Sequence, residues 1–296
     1  MRTALITITA GRLAHLRNQL RAVAAGTRTP DDHIVVSMGD PAVLAELRAG
    51  PAHGRWLPAR TPLPLAAARN LGAATALERG AELLVFLDVD CLPDPVMIER
   101  YQQARNDSHA PDAVDCGPVT YLPPPPPGGY DLADLPRCRA PHPARPAPPD
   151  EMIWDAEDYG LFWSLSFAVA ARTWSRLGGF DPTYRGYGAE DTDFGFRARA
   201  AAVPLRWVGG AHAYHQHHPV SDPPVEHLAD ILRNARLFHR RWGSWPMRGW
   251  LDAFTDLGLL TPVGGALGWV PGAHAQDGIG DRTDRVDQEE MWTSPN

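Results

Sequence analysis

The stretch Glu82-Leu83-Leu84-Val85-Phe86-Leu87-Asp88-Val89-Asp90-Cys91 decides how this chain is to be read. Glu82–Leu87 is an almost continuous apolar run, the pattern of a strand buried on both faces of a parallel sheet. It stops at two carboxylates, Asp88 and Asp90, spaced i and i+2. Ligands of open α/β sheets bind outside the carboxyl ends of the strands, so an acid pair there lies where a site belongs. With no basic residue between them the two acids repel, and a hard divalent cation, Mg²⁺ or Mn²⁺, answers that repulsion and can hold a diphosphate. A pair of solvated loop acids is the plain alternative, and the surroundings must decide.

Outward from this strand, helix and strand signals alternate. Ala4–Thr9 and His33–Ser37 read as strands, and Pro204–Val208 as a third, late in the chain. Leu13–Ala25 places Leu13, Leu16, Leu20 and Val23 on one helical face, and Ala42–Ala49 reads as a short helix. The Ala-rich Pro64–Arg79 is a helix stopped by Gly80. Helices are also expected over Arg172–Leu177, Thr192–Ala201 and the amphipathic Glu226–Trp242. The alternation specifies an α/β sandwich of the doubly wound type. Residues 118–151 break it: they are Pro-rich and aperiodic, either a solvated polyproline linker or a mobile loop over an active site. From about Gly264 the chain mixes Gly, Asp and Arg without period, as a tail with little structure of its own does.

Composition narrows the function classes. At 296 residues and 44% hydrophobic content the chain can bury a substantial core. A net charge of −7 gives no support to nucleic-acid binding through a basic face. All 28 basic residues are Arg, and 30 prolines make about twice the usual share. Cys91, Cys116 and Cys138 form no CxxC pair, which argues against a disulfide framework or structural zinc and for a reducing compartment. No apolar run approaches the roughly 20 residues that span a bilayer, so a cytoplasmic protein without a transmembrane segment is expected.

Two further constellations carry chemistry. Gly178-Gly179-Phe180-Asp181-Pro182 is followed by Arg185-Gly186-Tyr187-Gly188-Ala189-Glu190-Asp191-Thr192-Asp193. Glycines permit close backbone approach to a ligand, and three acids at 190, 191 and 193 open a helix. A helix cap explains one acid but not the set. The segment Ala211-His212-Ala213-Tyr214-His215-Gln216-His217-His218 carries four histidines at a strand end, a surface loop or a source of one metal ligand beside Asp88 and Asp90.

In this order, Ala67-Ala68-Arg69-Asn70-Leu71-Gly72, Phe86–Asp90, Gly178–Asp181, Gly186–Asp191 and the His-rich strand end resemble the motif set of glycosyltransferases with the A-type fold. The likeness is to family 2-like enzymes and to the catalytic domains of β-1,4-galactosyltransferases and polypeptide N-acetylgalactosaminyltransferases. It implies a Rossmann-like mixed central sheet flanked by helices, with the Pro-rich loop as an insertion. It also implies a catalytic domain over residues 1–245: a nucleotide-binding half at 1–117, the loop at 118–151, and an acceptor and catalytic half at 152–245. Residues 246–296 would then be a partly unstructured C-terminal extension.

The resemblance implies roles as well. Asp90 matches the acid that binds the metal, and Asp88 the one facing ribose or metal-bound water. His215 matches a strand-end metal ligand. Thr9, Asp40 and Arg69 match positions around the nucleotide. Asp191 matches the catalytic base of inverting members, with Glu190 beside it, and Tyr187 and Gly188 fall where the acceptor binds. The chain departs from the pattern at Ser37-Met38-Gly39-Asp40, where the strand itself usually ends in an acid, and at Tyr187, where many relatives have Trp.

The implied reaction is metal-dependent transfer of a sugar from a nucleotide-sugar donor such as a UDP-sugar to a hydroxyl of a carbohydrate, glycolipid or peptide, with inversion. A metal-dependent hydrolase of nucleotide-diphosphate compounds would use the same acids with water as acceptor. A non-catalytic nucleotide- or carbohydrate-binding protein on this fold would keep Asp90 without needing Asp191.

Overall fold

The computed structural model describes residues 1–106, 110–263 and 269–272. Its first half alternates β1 (Thr3–Thr9), α1 (Leu13–Ala24), β2 (Asp32–Met38), α2 (Pro41–Leu47), β3 (His53–Leu57), α3 (Leu65–Glu78) and β4 (Leu83–Leu87). Then come β5 (Cys91–Pro93), α4 (Met97–Asn106), β6 (Val114–Cys116) and β7 (Val119–Tyr121). Further on are β8 (Ile153–Asp155), β9 (Ser166–Ala170), α5 (Ala171–Leu177), α6 (Glu190–Ala200), β10 (Leu205–Val208) and β11 (Ala213–His215). The last elements are α7 (Leu228–Trp242), α8 (Arg248–Asp256), β12 (Leu260–Pro262) and β13 (Trp269–Pro271).

Eight strands form the central sheet in the order β3-β2-β1-β4-β9-β6-β10-β8. It is mixed: β1 is parallel to β2 and β4, whereas β9 runs antiparallel to β4 and β6, and β8 antiparallel to β10. The apolar run of β4 is buried at every residue, as a central strand requires. Leu84 and Phe86 face one core layer and Leu83, Val85 and Leu87 the other, so strand periodicity divides a continuous apolar run between two faces. Phe86 pairs in register with Phe167 of β9, and their rings stack 4.5 Å apart. A second, three-stranded sheet, β5-β11-β7, lies beyond the end of β4 in sequence and carries the His-rich segment.

The chain divides into two compact units, 1–185 with 190–218, and 186–189 with 219–296. The first contains both sheets described above. The second has its own core, with Leu228, Ile231, Ala235, Leu251 and Phe254 packed together, and pairs β12 with β13. The rest of the tail expected from about Gly264 lies outside the described residues.

Two expectations need correction. The Pro-rich stretch is not a solvated linker: it contributes β7, a 3₁₀ turn at Leu135–Cys138, and the buried residues Leu135 and Arg145. The helix expected from Thr192 starts at Glu190, so Glu190 and Asp191 lie in its first turn, where the helix dipole favours acids.

The helix α3 is rich in small residues because it lies close against β1 and β2. A Cβ added at Gly72 would come within 2.5 Å of Ile6 Cγ2 and 3.4 Å of Val36 Cγ2, both on stiff β-branched side chains. The helix-propensity gain of Gly→Ala, about 1 kcal/mol, is opposed by an overpacking cost of about 1–3 kcal/mol. Gly72→Ala is therefore expected to destabilise the fold by about 1 kcal/mol in denaturant titration. Gly50→Ala, where an added Cβ meets nothing within 4 Å, should stay within about 0.5 kcal/mol of the parent.

Candidate active site

The turn after β4 is held rigidly. Cys91 N donates to Asp88 O, and buried Gln19 of α1 donates from Nε2 to Asp88 O at 2.7 Å and to Cys91 O at 2.8 Å. This fixes the directions of the two carboxylates.

Asp90 points to the second sheet. The β5–β11 register sets His215 opposite Cys91, and Gln216 N donates to Asp90 O. His215 Nε2 consequently lies 3.6 Å from Asp90 Oδ1, and His218 Nε2 lies 3.5 Å from Asp90 Oδ2. One ligand atom from each of these three residues falls within 4.8 Å of the others. Arg12 NH1 donates to Asp90 Oδ2 at 2.7 Å, while the buried Asp90 Oδ1 has no hydrogen-bond partner among the described residues. Burial pushes the Asp90 carboxyl up, but His218, His215 and Arg12 together hold it below the usual carboxylate range. Burial lowers the pKa of His215, and so favours the neutral imidazole that a metal needs. A carboxylate with one orphaned oxygen beside His215 and with His218 at its other oxygen fits a divalent ion. Two nitrogen donors suit Mn²⁺ or a later transition metal better than Mg²⁺, which prefers oxygen alone.

Asp88 points the other way, to Arg69 of α3. The buried guanidinium donates from NH2 to Asp88 Oδ1 at 3.0 Å and from NH1 to Glu190 Oε1 at 3.2 Å. It thus joins the acid after β4 to the acid that opens α6. The same guanidinium lies over the Phe180 ring, 5.3 Å from its centroid, and Asn70 binds Phe180 by two hydrogen bonds, from Nδ2 to its carbonyl and from its amide to Oδ1. Burial raises Asp88 to about 6 against the pull of Arg69, and raises Glu190 to about 7 with the Asp191 charge adding to it. Glu190 Oε2 is buried with no hydrogen-bond partner among the described residues. Asp191 is also raised by burial, opposed by the Thr192 N–H, which donates to its Oδ1 at 2.7 Å. Asp193, the third acid, has a structural role: fully buried, it binds Arg197 at 2.8 Å and Tyr184 at 3.3 Å.

Two nucleotide candidates sit at neighbouring strand ends. Thr9 pairs in register with Ser37, and its buried Oγ1 has no hydrogen-bond partner among the described residues. Asp40 caps α2, accepting from Ala42 N at 2.9 Å, so local structure accounts for its carboxylate.

The acceptor candidates belong to the second unit. Gly186 and Gly188 have φ of +68° and +93°, and a Cβ at Gly186 would collide with the Asp230 carboxylate. Asn234 of α7 donates to the carbonyls of Tyr187 (3.2 Å) and Gly188 (2.9 Å). The exposed Tyr187 ring stacks on His227 at 4.6 Å and lies 5.7 Å from Trp250.

Sequence reasoning singled out His215 but not His218, Arg12 or His15, whose ring lies 6.0 Å from that of His218. The available signal was the His215-x-x-His218 spacing, which lets a chain leaving a strand return to the same ion.

The fold and the order of its motifs define the class: this is the mixed α/β architecture of A-type glycosyltransferases. Residues 157–219 match the family model described as the N-terminal domain of galactosyltransferase. Validoxylamine A glucosyltransferases of Streptomyces hygroscopicus, from subspecies jinggangensis and limoneus, are each 30% identical over 171 residues, 48% of this chain. The match spans only 36% and 34% of those relatives, about a third of their length. The solved structure of GalNAc-T7 with UDP, GalNAc and Mn²⁺ superposes with a TM-score of 0.54 at 14% identity, over 80% of this chain and 48% of that one. Residues 1–349 of S. aureus TarS superpose with a TM-score of 0.53 at 12% identity, over 80% and 65%. The glycosyltransferase resemblance and the expected fold are thereby borne out. No helix among the described residues is long and apolar enough to cross a membrane.

Mn²⁺ titration by calorimetry should therefore give a stoichiometric site that Asp90→Ala abolishes. His215→Ala and His218→Ala should each weaken it by at least about tenfold, while His217→Ala leaves it nearly unchanged. A loss at His217 comparable with the other two would break the assignment.

Proposed function

We propose that this protein is a metal-dependent glycosyltransferase that moves a sugar from a nucleoside-diphosphate donor, a UDP-sugar, to an acceptor hydroxyl with inversion. The observation that carries this reading is the Arg69 bridge, which couples Asp88 after β4 to Glu190 in the first turn of α6 within one unit. Under this reading residues 1–117 bind the nucleotide and 152–245 serve the acceptor. The GalNAc-T7 structure with UDP and Mn²⁺ supports the donor and ion by analogy of fold. The name of the curated relatives supports hexosyl transfer.

Asp90, His215 and His218 would hold the ion, which when bound supplies positive charge to the departing diphosphate. The rest falls to the side chains. Thr9 offers an unpartnered hydroxyl at the end of β1 towards the nucleotide. Arg69 holds Asp88 and Glu190 in fixed positions, leaving Glu190 Oε2 to bind an acceptor hydroxyl. Asp191 accepts the proton of that hydroxyl as its oxygen attacks the anomeric carbon. The bond from that carbon to the diphosphate oxygen breaks on the opposite face, which inverts the centre. Burial suits Asp191 to this role, because a raised pKa makes the carboxylate a better base near neutral pH. Tyr187 and Gly188 would border the acceptor, the ring offering its face to a sugar.

The test is Asp191→Asn, which keeps the hydrogen bond to Thr192 N acceptable while removing the basic oxygen. Transfer, or slow donor hydrolysis in its place, should fall by roughly 10²–10⁴ while UDP affinity is retained. In the parent the rate should drop as pH falls through the raised pKa of Asp191, and the residual rate of the variant should lack that limb. An undiminished rate in a folded variant that still binds UDP would eliminate Asp191 as the base.

A further inference from the structure

Gln216 stands between the two histidines of the candidate cation site and has no part in the reaction described so far. It is 2% exposed, and its side-chain amide is bonded at both ends to α1: Nε2 donates to His15 O at 3.2 Å, and Oε1 accepts from Asn18 Nδ2 at 2.8 Å. Its backbone N–H donates to Asp90 O at 2.6 Å. A buried amide needs partners, so satisfaction alone accounts for the side-chain bonds. It does not account for the course the chain takes next.

β11 ends at His215. Side chains alternate along an extended strand, so a chain running straight on would bring His217, and not His218, to the face of His215. The structure has the reverse: His218 Nε2 lies 3.5 Å from Asp90 Oδ2, and His215 Nε2 lies 3.6 Å from Oδ1. The strand period is broken between the two ligands, and the chain is held on both sides of the break. On one side the Gln216 amide is drawn onto α1. On the other, His217 N donates to the Tyr130 hydroxyl at 3.0 Å, which in turn donates to Pro123 O at 2.8 Å within the Pro-rich stretch. α1 is itself tied to the turn after β4, because Gln19 donates to Asp88 O and Cys91 O. One helix thus registers both segments that carry the ligands.

We propose that Gln216 is the positioning residue that makes His218 a ligand. Anchored on Asn18 and on the His15 carbonyl, it turns the chain out of the strand so that a second imidazole returns to Asp90. This rests on the divalent-cation reading of Asp90, His215 and His218.

Calorimetric Mn²⁺ titration of the parent, Gln216→Met, His218→Ala and the double variant tests it, with Asp90→Ala as the blank. Methionine keeps the length of glutamine and loses both amide bonds. Gln216→Met should weaken Mn²⁺ binding by about 10–100-fold in the parent. In the His218→Ala background, where no second imidazole is left to place, the same change should cost less than about threefold. Zn²⁺, which imidazole binds more tightly, closes the same cycle where Mn²⁺ binding to the alanine variant is too weak to titrate. Asn18→Ala, at a half-buried helical position, should weaken the ion by at least about threefold in the parent and not in the His218→Ala background. It decides the matter if Gln216→Met fails to unfold cooperatively. Unchanged affinity in Gln216→Met, or an equal loss in both backgrounds, overturns the proposal and leaves the cation site standing. A parent that binds neither Mn²⁺ nor Zn²⁺ at a site removed by Asp90→Ala overturns the cation reading, and the proposal with it.

Discussion

The acid cluster that joins β4 to α6 depends on one buried cation. Arg69 is 4% exposed and binds two carboxylates 102 residues apart in sequence, Asp88 and Glu190. Removing a guanidinium and two acids from water costs several kcal/mol per ion, and mutual attraction returns much of that only when the geometry holds. The bridge contributes little to net stability and a great deal to position. Carboxylates driven up to about 6 and about 7 by burial strain the fold at neutral pH, a tension typical of sites that do chemistry. The tight packing of α3 against β1 and β2, made possible by Gly72, keeps Arg69 in place.

The legible part of the fold was its parallel half. β1, β2, α3 and β4 carry clean periodicity because each faces one or two continuous core layers, and the structure moves their ends by only a residue or so. β6, β8 and β9 were not legible for an equally physical reason. β6 and β8 are three residues long, too short for a period to show. β9, Ser166–Ala170, mixes small and aromatic residues because Phe167 stacks on Phe86 in one core layer while Ala168 belongs to the other, with Met97 and Tyr101. Propensity cannot see such packing.

The site was legible where one residue sits at a strand end, and less so where tertiary register does the placing. The acids at 88 and 90 stood out because they end a buried strand, and those at 190 and 191 because they open a helix after a glycine-rich stretch. His218 did not, since only the antiparallel pairing of β11 with β5 brings its segment to Asp90. Outside the site, the burial of Arg145 was hidden by its neighbours: a Pro-rich composition signals solvated chain, and only the folded turn shows the side chain buried against Trp207.

The contact between Arg12 and Asp90 has a consequence for how the site meets its ion. Arg12 holds Asp90 Oδ2 at 2.7 Å while Oδ1 has no hydrogen-bond partner among the described residues, so a divalent ion bound at Oδ1 would be added beside an existing ion pair. The guanidinium would then repel the incoming charge, and the apparent affinity would report that repulsion together with the attraction of the carboxylate. Arg12 sits at the junction of β1 and α1, in the N-cap position of α1. Arg12 therefore ties the loop that leads out of the first strand to the acid that would hold the ion.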